Sequence, residues 1–281
     1  MIVPDEQVTT REVATWQGLH LLHFQSSSCS QKVRVLLREK GLQWTSHPID
    51  LPRQKHVSAW YLGINSRGVV PVLVHDGVVH VESNDIMEHL DALPSEAESF
   101  FPQSEGEKAW VKEDLDLENR LHMDLRNLTM GFIMPRRLAQ KSEETLKRWE
   151  EEGRSDPKRV LEVKWWRDYA AQGIPQETAQ RSVDAHREAF DVLDRRLADS
   201  EWLIGGRLSV LEVAWFITTR RLSRAGYPLE RHPHLLRWHE RLEKRPAFDE
   251  ETRDPALLRV ALPIYGAFRR LRGTTLADVT S

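Results

Sequence analysis

Residues 26–30 read Ser-Ser-Ser-Cys-Ser, four hydroxyls around the chain's one cysteine, just ahead of Val33, Leu36 and Leu37 at helical spacing. At the start of a helix, unsatisfied backbone N–H groups and the positive end of the dipole favour negative charge. Ser27, Ser28 and Cys29 are therefore candidates to hold an anion or to become one, with Ser30 close by; for some of the serines, N-capping is the whole explanation. Glu82–Ser83 opens a second helical pattern carried by Ile86, Leu90 and Leu93, where Ser83 can cap and Glu82 adds a carboxylate. His56, with Lys55 beside it, offers a donor from a polar loop. His232, His234 and His239 lack both the H-E-x-x-H spacing and cysteine partners, so no metal is expected.

The elements that must position these groups fall into two textures. Leu19–Phe24 is an apolar run suited to a buried strand, residues 44–49 read as a second, and Val72–His75 with Val78–Val81 flank Asp76-Gly77, a dipeptide that suits a type I′ turn. The order β-α-β-(irregular)-β-β-α, without G-x-G-x-x-G, is not a Rossmann repeat. From about residue 104 only helical patterns remain: 105–128, 142–151, 157–171, 175–198, 209–225 and 234–244. Ser209 and Glu212 fit a capping box, and the helix they open is apolar nearly all round, which puts it at the centre of its domain. The expected organisation is an N-terminal extension (1–18), an α/β domain (19–93), a linker (94–103), an all-α domain (104–255) and a C-terminal tail (256–281).

Composition narrows the class of function. The 281 residues suit two domains, and 40 Lys+Arg against 43 Asp+Glu leave a net charge of -3, which argues against a dedicated nucleic-acid binder. One cysteine and an opening without basic or apolar signal regions predict a reducing, cytoplasmic setting. Arg269, Arg270 and Arg272 follow apolar residues in the tail, but Pro263 interrupts the stretch, so a tail packed on the domain is expected rather than membrane contact.

Taken together, the Leu19–Phe24 run, Ser27-Ser28-Cys29-Ser30, Val70-Pro71, the hairpin and Glu82-Ser83 resemble the glutathione transferase superfamily over about residues 19–255. The serine-cysteine turn is similar to the zeta class, Ser30-Gln31-Lys32-Val33-Arg34 also to ganglioside-induced differentiation-associated proteins. His56, Trp60-Tyr61, Asn65 and Arg67-Gly68 are similar to theta-class proteins and bacterial β-etherases, as is Lys164-Trp165-Trp166-Arg167 followed by Gly173-Ile174-Pro175.

The resemblance implies a thioredoxin-like glutathione-binding domain, an all-α pocket domain and a homodimer. It implies that Glu82 pairs the γ-glutamyl ammonium, that Ser83 and its helix amides take the adjoining carboxylate, that a cis Val70–Pro71 bond offers Val70 main-chain groups, and that His56 meets the glycyl carboxylate. Ser27 would stabilise the glutathione thiolate, with Ser28 nearby; Cys29 would instead form a mixed disulfide in cysteine-type members. Trp110, Asp114 and Leu117, on the first helix of the second domain, are the expected pocket residues, joined by Leu121 and Met123, with Trp165 and Trp166 more distant. The implied activity is attack of glutathione on a hydrophobic, aromatic electrophile by conjugation, β-ether cleavage or reductive dehalogenation, as in detoxification. Zeta-type isomerisation and non-catalytic binding are the alternatives.

Overall fold

In the computed structural model of the chain, which describes residues 1–152 and 157–280, the first apolar run is strand β1 (Leu19–His23). Helix α1 (Ser28–Glu39), strand β2 (Thr45–Pro48), the short helix α2 (Ala59–Leu62), strands β3 (Val72–His75) and β4 (Val78–His80) and helix α3 (Ser83–Asp91) follow. The sheet order is β2-β1-β3-β4, with β1 parallel to β2 and antiparallel to β3. Alternate side chains of β1 and β3 serve two cores: Leu21 and Leu73 pack with α1 and α3, while Leu22, Val72 and Val74 pack with Tyr61, Ile64, Val8 and Val13. Asp76 and Gly77 both take positive φ, as a type I′ turn requires, and a Cβ at Gly77 would lie 2.4 Å from the Ala14 carbonyl oxygen. Residues 1–18 are more than a polar extension, since Val8 and Val13 are buried and Ile2 bridges to His80 beside β4.

The remainder is helical: α4 (Glu105–Arg120), α5 (His122–Phe132), α6 (Arg136–Ala139), α7 (Glu143–Glu152), α8 (Pro157–Gln172), α9 (Gln176–Arg196), α10 (Val210–Ala225), α11 (Pro233–Glu243), α12 (Pro246–Thr252), α13 (Ala256–Leu271) and α14 (Ala277–Thr280). The helix expected over 105–128 is two, because Leu121 at ψ -2° flattens the chain between α4 and α5 and leaves His122 at the head of the second. Every residue of α10 from Val210 to Thr219 is buried, and the Ser209–Glu212 capping box is formed. In the tail, α13 runs through Pro263, turning Leu258 and Leu262 into a cavity and leaving Val260, Ile264, Phe268 and Leu271 exposed. No helix among the described residues is long and apolar enough to cross a membrane. Residues 153–156, within the predicted helical domain, and Ser281, at the end of the tail, lie outside the described residues.

The sheet-containing part and the helices are tied by buried charge. Lys32 on α1 pairs with Glu118 on α4, whose other oxygen accepts from the Thr218 hydroxyl at 3.0 Å; Arg34 on α1 pairs with Glu251 on α12 at 2.9 Å. Removing one partner from such a pair strands the other charge away from water, so these contacts fix how α1 faces the helical region.

Candidate functional site

Strand register gathers the predicted residues at one end of the sheet. Opposite Leu22 and His23 at the end of β1 stand His47 and Pro48, the end of β2, and Val72, the start of β3; His80, ending β4, stands opposite Leu73. The segments that run on from there are the Ser27–Cys29 turn, the 50–58 loop, Val70–Pro71 and Glu82–Ser83. The Val70–Pro71 bond is cis. Tyr61 Oη and Asn65 Nδ2 both donate to the Val69 carbonyl, at 2.7 and 2.9 Å, while the Val70 N–H and C=O enter no backbone hydrogen bond among the described residues. That leaves an unpaired main-chain edge of the kind an extended peptide can join.

Glu82 occupies the N-cap position of α3 at φ 65°, and its carboxylate pairs with Arg67. Ser83 is the first helical residue and makes no side-chain cap, so the expected N-cap role belongs to neither its hydroxyl nor the Glu82 side chain. The first-turn amides remain an anion site by helix geometry.

At the head of α1, Ser27 is the N-cap: its Oγ accepts the Ser30 N–H at 3.3 Å, which leaves the hydroxyl proton available for donation. Ser30 is buried and its Oγ accepts the Phe24 N–H, so this serine braces the turn. Ser28 is half-buried in the first helical position. Cys29 is half-buried as well, with its Sγ 3.9 Å from His122 Nδ1 at the head of α5. Burial pushes this thiol's pKa up, but the His122 imidazole and the Lys32 ammonium outweigh it and draw the pKa down to about 6. Cys29 is thus a thiolate at neutral pH.

His56 is buried and accepts a hydrogen bond at Nε2 from Lys141 Nζ, 3.1 Å away; its Nδ1 is buried without a partner. Burial and the Lys141 charge push His56 down to about 3, so it is neutral. Lys141 also donates to Gln54 Oε1 at 3.1 Å and lies 4.5 Å from the Trp166 ring centroid, and burial lowers it to about 8. The cation at this corner is therefore the lysine, which precedes α7, and Lys55 is exposed.

None of the expected pocket residues Trp110, Asp114 and Leu117 walls the cavity that lies beside the Ser27–Cys29 turn. Asp114 is buried against Arg196 at 2.5 Å, Trp110 has the Arg196 guanidinium 4.4 Å above its ring, and Leu117 packs against the main core. Asp114 is buried, whereas Trp110 and Leu117 are half-buried. Instead, a cavity of about 140 Å³ lies beside the turn, walled by Phe24, Ser26 and Gln31, by α5, by Arg221 of α10, and by Leu258 and Leu262 of α13. His232 and His239 are engaged by Tyr227 Oη and Thr219 Oγ1.

Sequence reading missed His122, Lys141 and Arg221. Lys141 is 85 residues from His56 and carries no local signal; Arg221 did carry one, since it follows the buried run Val210–Thr219 in the central helix, with Arg220 and Arg224 beside it.

Two family models match: "Glutathione S-transferase, N-terminal domain" over residues 26–93 and "Glutathione S-transferase, C-terminal domain" over residues 176–241. Protein LigF of Sphingobium sp. (strain NBRC 103272 / SYK-6) is 29% identical over 248 residues, 83% of this chain and 92% of that protein. The crystal structure of beta-etherase LigF from the same strain superposes with a TM-score of 0.72 at 27% identity, covering 84% of this chain and 98% of the other. A glutathione S-transferase from Methylobacillus flagellatus, solved with glutathione bound, has the same fold at TM-score 0.63 and 18% identity, covering 84% of this chain and all of that one. Sequence, topology and the site at the sheet end agree: this chain belongs to the glutathione transferase superfamily.

Proposed function

We propose that the protein is an enzyme that binds glutathione along the sheet end and activates its thiol for attack on a hydrophobic, aromatic electrophile. The observation that carries this reading is the convergence, by strand register, of four segments complementary to one tripeptide. In it, Glu82 takes the γ-glutamyl ammonium and the α3 amides with Ser83 take its carboxylate, favoured by the dipole. Val70 pairs with the main chain of the middle residue, and His56 with Lys141 receives the glycyl carboxylate. Ser27 donates its hydroxyl proton to the thiolate. A free thiol near pKa 8.5 is only a few per cent ionised at pH 7; lowering it by two units needs about 2.7 kcal/mol, within reach of one charge-assisted hydrogen bond and a helix terminus.

The likeness to a β-etherase favours aryl ethers among the electrophiles. There the sulfur forms a C–S bond as the C–O bond breaks, the aryl oxygen leaves with the bonding pair, and the thiol proton passes to solvent. The low pKa of Cys29 beside His122 favours a second reaction, attack of its thiolate on glutathione disulfide to give a Cys29–glutathione disulfide and one glutathione thiolate. The working unit is taken to be a two-fold homodimer, the commonest closed assembly.

The test is to incubate the protein with glutathione and an activated aryl halide, a β-aryl ether, a chlorinated hydroquinone, maleylacetoacetate or a mixed disulfide, following thiol loss and products. Net thiol consumption separates transfer from isomerisation. Calorimetry with glutathione alone gives micromolar to low-millimolar binding that Glu82→Ala weakens, and no heat at saturating glutathione sinks the reading. Light scattering gives a mass of two chains; a single-chain mass at micromolar concentration removes the dimer.

A further inference from the structure

The cavity beside the turn is apolar except at one wall. Phe24, Met130, Ile133, Ile217, Leu258 and Leu262 give it an oily interior, and its volume, about 140 Å³, is that of a single aromatic ring. Three arginines reach it from α10. Two are neutralised: Arg220 by Glu243 and Arg224 by Asp254, itself a wall residue. Arg221 is different. It donates to the Ser26 carbonyl oxygen and to Gln31 Oε1, both neutral, and no carboxylate lies within ion-pair distance of it among the described residues. Its Nε and the neighbouring Ser26 Oγ are buried with no hydrogen-bond partner. Burial, reinforced by Arg224 and opposed by Cys29 and by Asp254, draws this guanidinium down to about 10, which still leaves it charged at neutral pH.

A half-buried guanidinium that holds only neutral acceptors lacks the carboxylate that its planar fork matches best. Arg34 and Arg245 also tie segments together and end on Glu251 and Glu39, whereas Arg207 ties its segments by donating to the Ser99 and Phe101 carbonyl oxygens; what sets Arg221 apart is that it does so at the wall of a cavity.

We propose that Arg221 binds a carboxylate on the second substrate, so that the molecule attacked by glutathione is a single-ring aromatic electrophile carrying a carboxylate. The reaction part rests on the glutathione reading above; the carboxylate site does not. For an activated aryl chloride, the thiolate sulfur bonds to the ring carbon, chloride leaves with the C–Cl pair, and the thiol proton passes to solvent, while Arg221 holds the far end of the ring.

Binding without glutathione tests the site directly. Calorimetry of the full chain with benzoate and with benzamide, isosteres differing in charge, gives benzoate the tighter binding by about tenfold or more, the worth of a charge-assisted hydrogen bond. Arg221→Gln removes that preference and Arg221→Lys keeps part of it, with thermal melting and benzamide binding reporting that each variant is folded. Equal affinity for the two probes, no binding of either, or a preference that survives in Arg221→Gln overturns the assignment. If Arg221→Gln does not fold, the wild-type preference and Arg221→Lys decide. With glutathione added, 4-chloro-3-nitrobenzoate reacts with higher kcat/KM than 4-chloro-3-nitrobenzamide after division by the uncatalysed rates, and Arg221→Gln collapses that ratio. A purely structural Arg221, or one that only steadies the thiolate, lowers both rates together and leaves the ratio in place. Benzoate preference without any glutathione binding removes the proposed activity and keeps this site; turnover of both chlorides at an unchanged ratio does the reverse.

Discussion

The turn at residues 27–30 and the loop at residues 50–58 lie at the same end of the sheet, and each is assigned one negative charge, yet they are built differently. At the turn, the local chain supplies much of what is needed: a helix start, a capping serine and a cysteine, with His122 3.9 Å from the sulfur as an addition from α5. In the loop, the local chain supplies a neutral imidazole, and the charge comes from Lys141, beyond α6. The sheet decides where the charges go, and the helical region decides how strongly they are held. Substitutions in the helical region should therefore change the chemistry of a site that family comparison alone would confine to the first hundred residues.

The largest expected effect is at the turn itself. Removing a preorganised donor to a stored anion costs about 10²- to 10³-fold in rate, so Ser27→Ala depresses conjugation or ether cleavage by that factor and raises the pKa of bound glutathione. Cys29→Ser spares those reactions and abolishes any step that needs a Cys29 mixed disulfide. The pH-rate profiles of both variants, with intact mass after glutathione disulfide treatment, check this. An indifferent Ser27→Ala beside a dead Cys29→Ser would move the activity to the cysteine.

His122 offers a way to separate local from distant support. With its pKa near 6, Cys29 is about nine-tenths thiolate at pH 7, so alkylation by iodoacetamide rises through pH 6 and levels off above pH 7. His122→Asn removes the largest influence that lowers the pKa. The midpoint then moves up towards the ordinary thiol range, and labelling at pH 7 slows by about tenfold. A profile unchanged by the substitution would mean that the helix terminus and Lys32 suffice.

At the loop, Lys141→Gln weakens glutathione by about tenfold, the worth of one charged hydrogen bond. The glycyl ethyl ester of glutathione separates charge from shape: wild-type protein binds it more weakly than glutathione, while Lys141→Gln binds the two alike. Equal loss for both ligands would make Lys141 a prop for His56 rather than a partner of the carboxylate.

What the sequence disclosed follows the same division. Strands, hairpin and turn were readable because their signals are local: an apolar run, Asp76-Gly77, a serine ahead of helical spacing. The packing of residues 1–18 was not, since Val8 and Val13 acquire their partners only when Tyr61 and Val74 arrive from elsewhere. Trp110, Asp114 and Leu117 carried the right spacing to line a pocket, but spacing gives a face and not its neighbour. That face of α4 meets Arg196 and the main core. The groups that tune the site, His122, Lys141 and Arg221, reach it only through helix packing, which periodicity does not encode.

The smallest effect on activity should come from a second N-cap, and it sharpens the comparison most. Ser209 caps α10 much as Ser27 caps α1: its Oγ accepts the Leu211 N–H at 3.2 Å, and Glu212 reaches back to the Ser209 N–H at 2.9 Å while accepting the Leu203 N–H at 2.6 Å. Replacing such a cap by alanine costs about 1 kcal/mol of stability, which for a chain of this size is a fall of about 2–4 °C in Tm. Ser209→Ala should thus lower Tm at least as much as Ser27→Ala, because each strands one backbone donor at a helix start and the Ser209 hydroxyl also donates to the buried Glu212 carboxylate at 2.6 Å. Only Ser27 borders the predicted thiolate, so Ser209→Ala should keep kcat/KM within about twofold at a temperature well below both midpoints, where a loss of about 1 kcal/mol leaves nearly every molecule folded. Paired melting curves and initial rates measure this. If the two variants lose rate in proportion to their loss of Tm, the effect of Ser27 on rate is stability alone, and its hydroxyl is a cap and nothing more.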